Sequence, residues 1–178
     1  LYVTDGLAVN RLYELLNDTD EHVRAWSIQF LCDVSESNAF QPERNADWLL
    51  EPDVLEKLTS MAQDDPSQVV RLYLASAVQR LPFVQRWPIL QGLISHAEDV
   101  SDNNLPRMYW FALEPMVPDY QRESLELVVA GKIPRLQEFV ARRLITGDGD
   151  NKKLNQVQKA EAWNGLIKKI AKGEMATA

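Results

Sequence analysis

The stretch DTDEHVRAWSIQFL begins at Asp18 and is echoed by DPSQVVRLYLASAV from Asp65, an offset of 47 residues. In each copy an Asp stands six positions before an Arg (Arg24, Arg71), a Val precedes that Arg (Val23, Val70), and an aromatic residue follows two places on (Trp26, Tyr73). Each copy also follows a shorter apolar-periodic segment, GLAVNRLYELLND before the first and VLEKLTSMAQD before the second. A third version, DNNLPRMYWFALEPMV, places Arg107 two residues before Tyr109, at an offset of 36 from Arg71. Self-similarity of this length constrains the fold more than any other feature, because a repeated supersecondary unit buries its apolar face only against its neighbours. The unequal offsets mean repeated units with variable connections.

Apolar residues recur at spacings of three and four almost throughout, and alternating strand-like runs are missing. The pattern predicts helices near 6–17, 20–34, 52–64, 67–81, 84–98, 104–116, 119–131, 134–146 and 152–172. Asp18 and Asp20 are expected to cap the second helix and Asp65-Pro66 the fourth, Pro82 ends the fourth, and Pro118-Asp119 and Pro134 open the seventh and eighth. Short connections make consecutive helices antiparallel, so the expected fold is all-α: an α-solenoid of about nine helices in antiparallel pairs. Asp18, Arg24, Asp65, Arg71 and Arg107 are then repeat joints, each Arg about one turn inside its helix and able to reach a turn carboxylate in its own or the next repeat. Trp26, Trp110 and Trp163 fall on apolar stripes and are expected in the core. The helix around LPRMYWFALEPMV is apolar most of the way round, which predicts burial between neighbours.

With 178 residues the chain has room for one compact domain or one repeat array, burying roughly 70% of its unfolded surface. Its net charge of −7 is unevenly placed: residues 151–178 hold six Lys and two Glu, so the rest of the chain stands at −11. An acidic body opposes phosphate binding, which sets the expectation of no nucleic-acid partner. The division expected is a HEAT-like repeat domain over 1–146 and, over 147–178, a hinge with a basic terminal capping helix or a linker to a following domain. Cys32 is the single cysteine, which excludes an internal disulfide and a multi-cysteine metal site, and its apolar helical setting predicts a small buried side chain. No run approaches the length of a membrane span, so no direct membrane insertion is expected. The opening LYVTDGLAV has neither an initiator Met nor a signal-peptide layout, as expected of a fragment.

His22 beside Asp20 and Glu21, and His96 near Glu98 and Asp99, lack the facing i, i+4 ligand spacing of a zinc site; solvated or capping roles are expected, with no metal and no cofactor. Paired carboxylates such as Asp64/Asp65 read as turn caps rather than catalytic pairs, since catalysis needs a cleft that separates their pKa values. TGDGDN at 146–151 lacks the strand-before, helix-after setting of a phosphate loop and reads as a hinge. Trp48, with Arg44, lies in a connection of about eighteen residues, long enough to carry function or to cover an exposed end. Together with Trp87 these residues form the candidate interaction surface.

The 47-residue period, the turn Asp and the inner-helix Arg resemble HEAT-like repeats. The run DPSQVVRLYLASAVQRLP, with RWPILQGLISHAEDVSDNNLPRMYWFALEPMV and IPRLQEFVARRLI, is similar to the HEAT-like region of large bacterial membrane-bound dehydrogenases. In that family a sorbosone-dehydrogenase-like β-propeller precedes the helices and a c-type haem domain commonly follows. The resemblance implies a secreted or periplasmic redox parent in which this part is a noncatalytic scaffold or protein-interaction segment, contacting protein or neighbouring domains of its own chain. The haem motif C-x-x-C-H is not present, since Cys32 precedes Asp33-Val34-Ser35. The alternative is a HEAT-like enzyme or nucleic-acid-processing module, which needs a basic groove on the concave face.

Overall fold

A computed structural model describes residues 9–33 and 49–146. Among them the chain is all-α, with eight α-helices and no strand. It divides into two compact units, Leu1–Leu93 and Ile94–Ala178. The expected ninth helix at 152–172, the 147–149 hinge, and Arg44, Trp48 and Trp163 lie outside the described residues.

The first unit holds α1 (Val9–Leu15), α2 (Glu21–Leu31), α3 (Pro52–Asp64), α4 (Gln68–Val78) and α5 (Phe83–Leu93). α2 packs on α4, α3 on α5, and α1 on α2. α3 shows how the sequence selects the buried face. Val54, Leu58, Met61 and Ala62 recur at helical spacing and are buried, while Asp53, Glu56, Ser60 and Gln63 face water. Pro52 opens the helix, where its missing N–H costs nothing. Leu58, Leu74 and Leu90 are fully buried, each worth roughly 1.5–3 kcal/mol in removed apolar surface. Gly92 lets α5 press on α3: a Cβ there would stand 2.9 Å from the backbone of Ala62 and Gln63. Gln85 ties the entry to α3, donating Nε2–H to the Leu50 carbonyl and accepting the Leu50 N–H, both at 3.0 Å. Pro88 sits inside α5, and the carbonyl it leaves without an intrahelical donor belongs to Val84, an exposed residue that water can reach.

The second unit holds a 3-10 turn (Ala97–Ser101), α6 (Leu105–Leu113), a second 3-10 turn (Glu114–Met116), α7 (Gln121–Ala130) and α8 (Pro134–Thr146). α7 and α6 both pack on α8. Leu105, Tyr109, Ala112, Leu113 and Met116 form one buried stripe, completed by Val128, Ile133, Leu136 and Val140. Gly131 closes on Ile94, whose Cδ1 would lie 2.7 Å from an added Cβ.

The helices expected over 20–34 and 67–81 stop early, at Leu31 and Val78, and two others also end early. The one expected over 84–98 stops at Leu93, and the carbonyl of Ile94 accepts the Lys132 N–H at 2.8 Å instead of continuing a ladder. The one expected over 104–116 turns 3-10 at Glu114, because Pro115 has no N–H to offer Phe111. Burial also differs from expectation on α6. Trp110 is half-buried and Phe111 half exposed, so this helix keeps an open face where the sequence predicted enclosure.

Candidate functional site

The two copies of the sequence pattern build one joint twice. In the turn before α2, Asp18 Oδ1 accepts the Asp20 N–H at 2.9 Å, and Asp20 Oδ1 caps the helix by accepting the His22 N–H at 2.8 Å. In the turn before α4, Asp65 Oδ1 accepts the Ser67 N–H at 3.0 Å, and Ser67 Oγ caps the helix by accepting the Val70 N–H at 3.2 Å. The arginines follow suit: Arg24 Nη1 donates to the Asp18 carbonyl at 2.9 Å and Arg71 Nη1 to the Asp65 carbonyl at 2.9 Å. Each Arg therefore fastens the turn six residues behind it. The expected cap needs correcting for α4. Asp65 shapes the turn, and Ser67, two residues on, occupies the N-cap.

Arg24 also crosses to the turn before α4. Its Nε donates to Asp65 Oδ2 at 2.8 Å and its Nη2 to Oδ1 at 2.9 Å, a fork-on-fork pair between side chains that are 13% and 7% exposed. Hydrogen bonding to Asp65 holds the guanidinium's pKa above its ordinary value, against the cost of desolvation. Glu21 adds a second crossing by accepting the Ser67 hydroxyl. A third crossing closes the far end of the helix pair, where Arg80 donates Nε–H to the Cys32 carbonyl at 3.0 Å and Nη2–H to Gln29 Oε1 at 3.1 Å. α2 and α4 are thus pinned at both ends by arginines, one running forward and one back. The sequence reading missed Arg80. Its signal was a basic residue in the last turn of the helix expected over 67–81, where carbonyls need donors.

Arg71 is 1% exposed and Arg86 is as deeply buried, donating to the carbonyls of Leu81 and Gln79 at 2.7 Å each with its guanidinium 4.9 Å from the Phe83 ring. Arg107, the third expected joint, is exposed. In its unit the buried polar contacts include Tyr109, whose hydroxyl donates to Asp99 Oδ2 at 2.7 Å, and Gln137, whose Nε2–H donates to the Val128 carbonyl at 3.0 Å.

The aromatic residues of the two copies meet across the helix pair. The Trp26 and Tyr73 rings stand 5.9 Å apart edge to face, and Phe30, one turn along α2, lies 5.4 Å from Trp26. Trp26 is 51% exposed, which corrects the expectation that it belongs to the core, while Phe30 and Tyr73 are half-buried. Its stripe is apolar in sequence, yet α4 covers only one side of it. Trp87 on α5 is half-buried.

The reactive groups have quieter roles. Cys32 is fully buried, and desolvation pushes its thiol up to about 12, so it stays protonated at neutral pH and is a poor nucleophile. His22 lies exposed beside Glu21, and His96 Nδ1 pairs with Glu98 Oε1 at 2.7 Å. Among the described residues no three His, Cys, Asp or Glu side chains converge as a metal site. No described helix is long and apolar enough to cross a membrane. Compared with known proteins, the chain matches no family model, no curated protein and no solved structure.

Proposed function

We propose that the chain is a noncatalytic HEAT-like α-solenoid segment that serves as a scaffold and protein-docking surface within a larger bacterial protein, with a redox dehydrogenase as parent. The observation that carries this reading is the joint made twice, 47 residues apart: the turn bonds of Asp18 and Asp65 and the arginine bonds of Arg24 and Arg71 correspond, with Asp20 and Ser67 as the two helix caps. Polar groups that could do chemistry are spent on holding helices together: Asp65 on Arg24, and Asp99 on Tyr109. Among the described residues of the first unit, one surface open to a partner is the aromatic face of α2 and α4, where Trp26 is 51% exposed.

The experiment adds, as a separate fragment, the domains encoded on either side of this chain and records amide and indole NMR signals of the chain before and after. Shifts gathered on Trp26, Phe30 and Tyr73 are the expected outcome. Unchanged spectra with every flanking domain remove the docking role. The alternative, a nucleic-acid-processing module, is disfavoured by the −11 body. Anisotropy titrations with single- and double-stranded oligonucleotides at physiological salt are expected to show no complex, and a salt-sensitive micromolar complex would put that alternative first.

A further inference from the structure

The second unit carries a cationic aromatic face in a chain that is otherwise acidic. Trp110 on α6 and Phe139 on α8 meet with ring centroids 5.3 Å apart, and four residues further along each chain segment Arg143 Nε lies 4.0 Å from Glu114 Oε1. Equal steps on the two elements mean that they run side by side in the same direction. Arg107, one turn before Trp110, and Arg135, one turn before Phe139, therefore stand toward the same end of the aromatic pair. The Arg135 guanidinium lies over the Phe139 ring, 5.7 Å from its centre, and the half-exposed Phe111 continues the apolar surface beside Arg107.

Both arginines are exposed. Among the described residues Arg107 makes no hydrogen bond or ion pair, and Arg135 makes its ring contact alone. The carboxylates close to them in sequence are placed elsewhere. Asp102 Oδ1 accepts the N–H groups of Asn104 and Leu105 at the start of α6, and Glu114 faces Arg143. Glu138 stands about 100° round α8 from Phe139, away from the ring over which Arg135 leans.

Two open guanidinium forks beside exposed rings suit a segment that brings carboxylates together with an apolar side chain, since the fork takes a carboxylate in bidentate geometry and the rings take the apolar group. The chain's own stretch over 151–178, with six Lys and two Glu, has the wrong sign to cover this face. A nucleic-acid strand, charged at every residue, needs a longer basic track than two arginines with Glu114 and Glu138 close by in sequence.

We propose that the face formed by Arg107, Trp110, Phe111, Arg135 and Phe139 docks an acidic segment of a partner protein, with carboxylates on the two guanidinium forks and an apolar side chain against Trp110 and Phe111. This is a second docking surface, and it does not depend on the α2–α4 face.

The test titrates the full chain with three peptides of one length, each with a central Leu in a Gly/Ser background flanked on both sides by Glu, Gln or Lys, read by indole, amide and arginine Nε–H NMR signals. Expected are shifts at Arg107, Trp110, Phe111 and Arg135 with the Glu peptide, weakening as salt rises, with looser binding of the Gln peptide and none of the Lys peptide. Arg107→Gln and Arg135→Gln should each weaken the Glu complex roughly two- to fivefold, the range of an exposed charge pair. The double reversal Arg107→Glu/Arg135→Glu should transfer binding to the Lys peptide. Equal affinity for the Glu and Gln peptides overturns the carboxylate class. Silence toward the Glu peptide, or parental affinity for it in the double reversal, overturns the site. Shifts on this face with a single-stranded oligonucleotide and not with the Glu peptide overturn the protein partner in favour of nucleic acid. Signals of Trp26, Phe30 and Tyr73 report separately on the α2–α4 face, so either docking reading can fail while the other stands.

Discussion

Arg24 serves two turns at once, holding the carbonyls of Asp18 and Thr19 behind it and the carboxylate of Asp65 ahead of it. Removing either partner of the forward pair strands the other in a mostly water-excluded site, and the loss should exceed the net worth of the pair. A double-mutant cycle with Arg24→Ala and Asp65→Ala is expected to show single losses of about 1–3 kcal/mol and a coupling of about 1–2 kcal/mol. Additive losses in urea melts would mean that the two side chains stabilise their own turns independently. Cys32 supplies a pH handle. Burial raises its pKa above the ordinary thiol value to about 12, so the unfolded chain ionises first. The contribution of the neutral thiol is fully present below the ordinary thiol range and is lost as pH rises through the folded value, with a steepest slope of about 1.4 kcal/mol per pH unit. Melts between pH 8 and pH 11 should therefore fall more steeply for the parent than for Cys32→Ala, and parallel curves would contradict the burial argument. The spacing of Arg24 from Asp18 was readable in the sequence. Its bond to Asp65, 41 residues away, depends on α2 and α4 lying side by side.

At the level of elements, helix starts were the most legible features, because the residues that satisfy free N–H groups or tolerate a missing one are local. Pro52 and Pro134 open α3 and α8 at the expected positions. Helix ends were less legible. α5 stops at Leu93 because the next carbonyl finds the N–H of Lys132, a partner 38 residues on that no window around residue 94 contains. The approach of α5 to α3 was likewise silent, since an isolated Gly in a helical run has several meanings. It can be tested against another glycine. Gly92→Ala drives a Cβ to 2.9 Å from backbone atoms that cannot yield without moving a helix, whereas at Gly131 the nearest atom is the end of the Ile94 side chain, at 2.7 Å. Gly92→Ala is expected to cost about 1–3 kcal/mol and Gly131→Ala less, with denaturant midpoints as the measure. The reverse order would show that α3 and α5 separate easily.

Across the whole molecule, the sequence predicts that residues 152–172 cap the repeats: Leu154, Val157, Trp163, Leu166, Ile167 and Ile170 recur at helical spacing opposite a Lys-rich side. This segment lies outside the described residues, so its role is a matter for truncation. Ending the chain after Ile145 is expected to cause aggregation or lower the melting temperature, and a monomeric product with an unchanged melt would identify the tail as a linker. Helical periodicity was determined by the sequence alone, as were the proline punctuation and the doubled Asp-to-Arg spacing, because each depends on bonds and sterics within a turn or two of chain. Tertiary structure decided which apolar residues are covered. Trp26 and Ile28 both belong to apolar-rich α2, yet Ile28 is fully buried and Trp26 is 51% exposed. Hydrophobicity fixes the free energy of leaving water, not the direction from which a neighbour arrives; α4 arrives on one side of α2, and the side it leaves open carries the aromatic face.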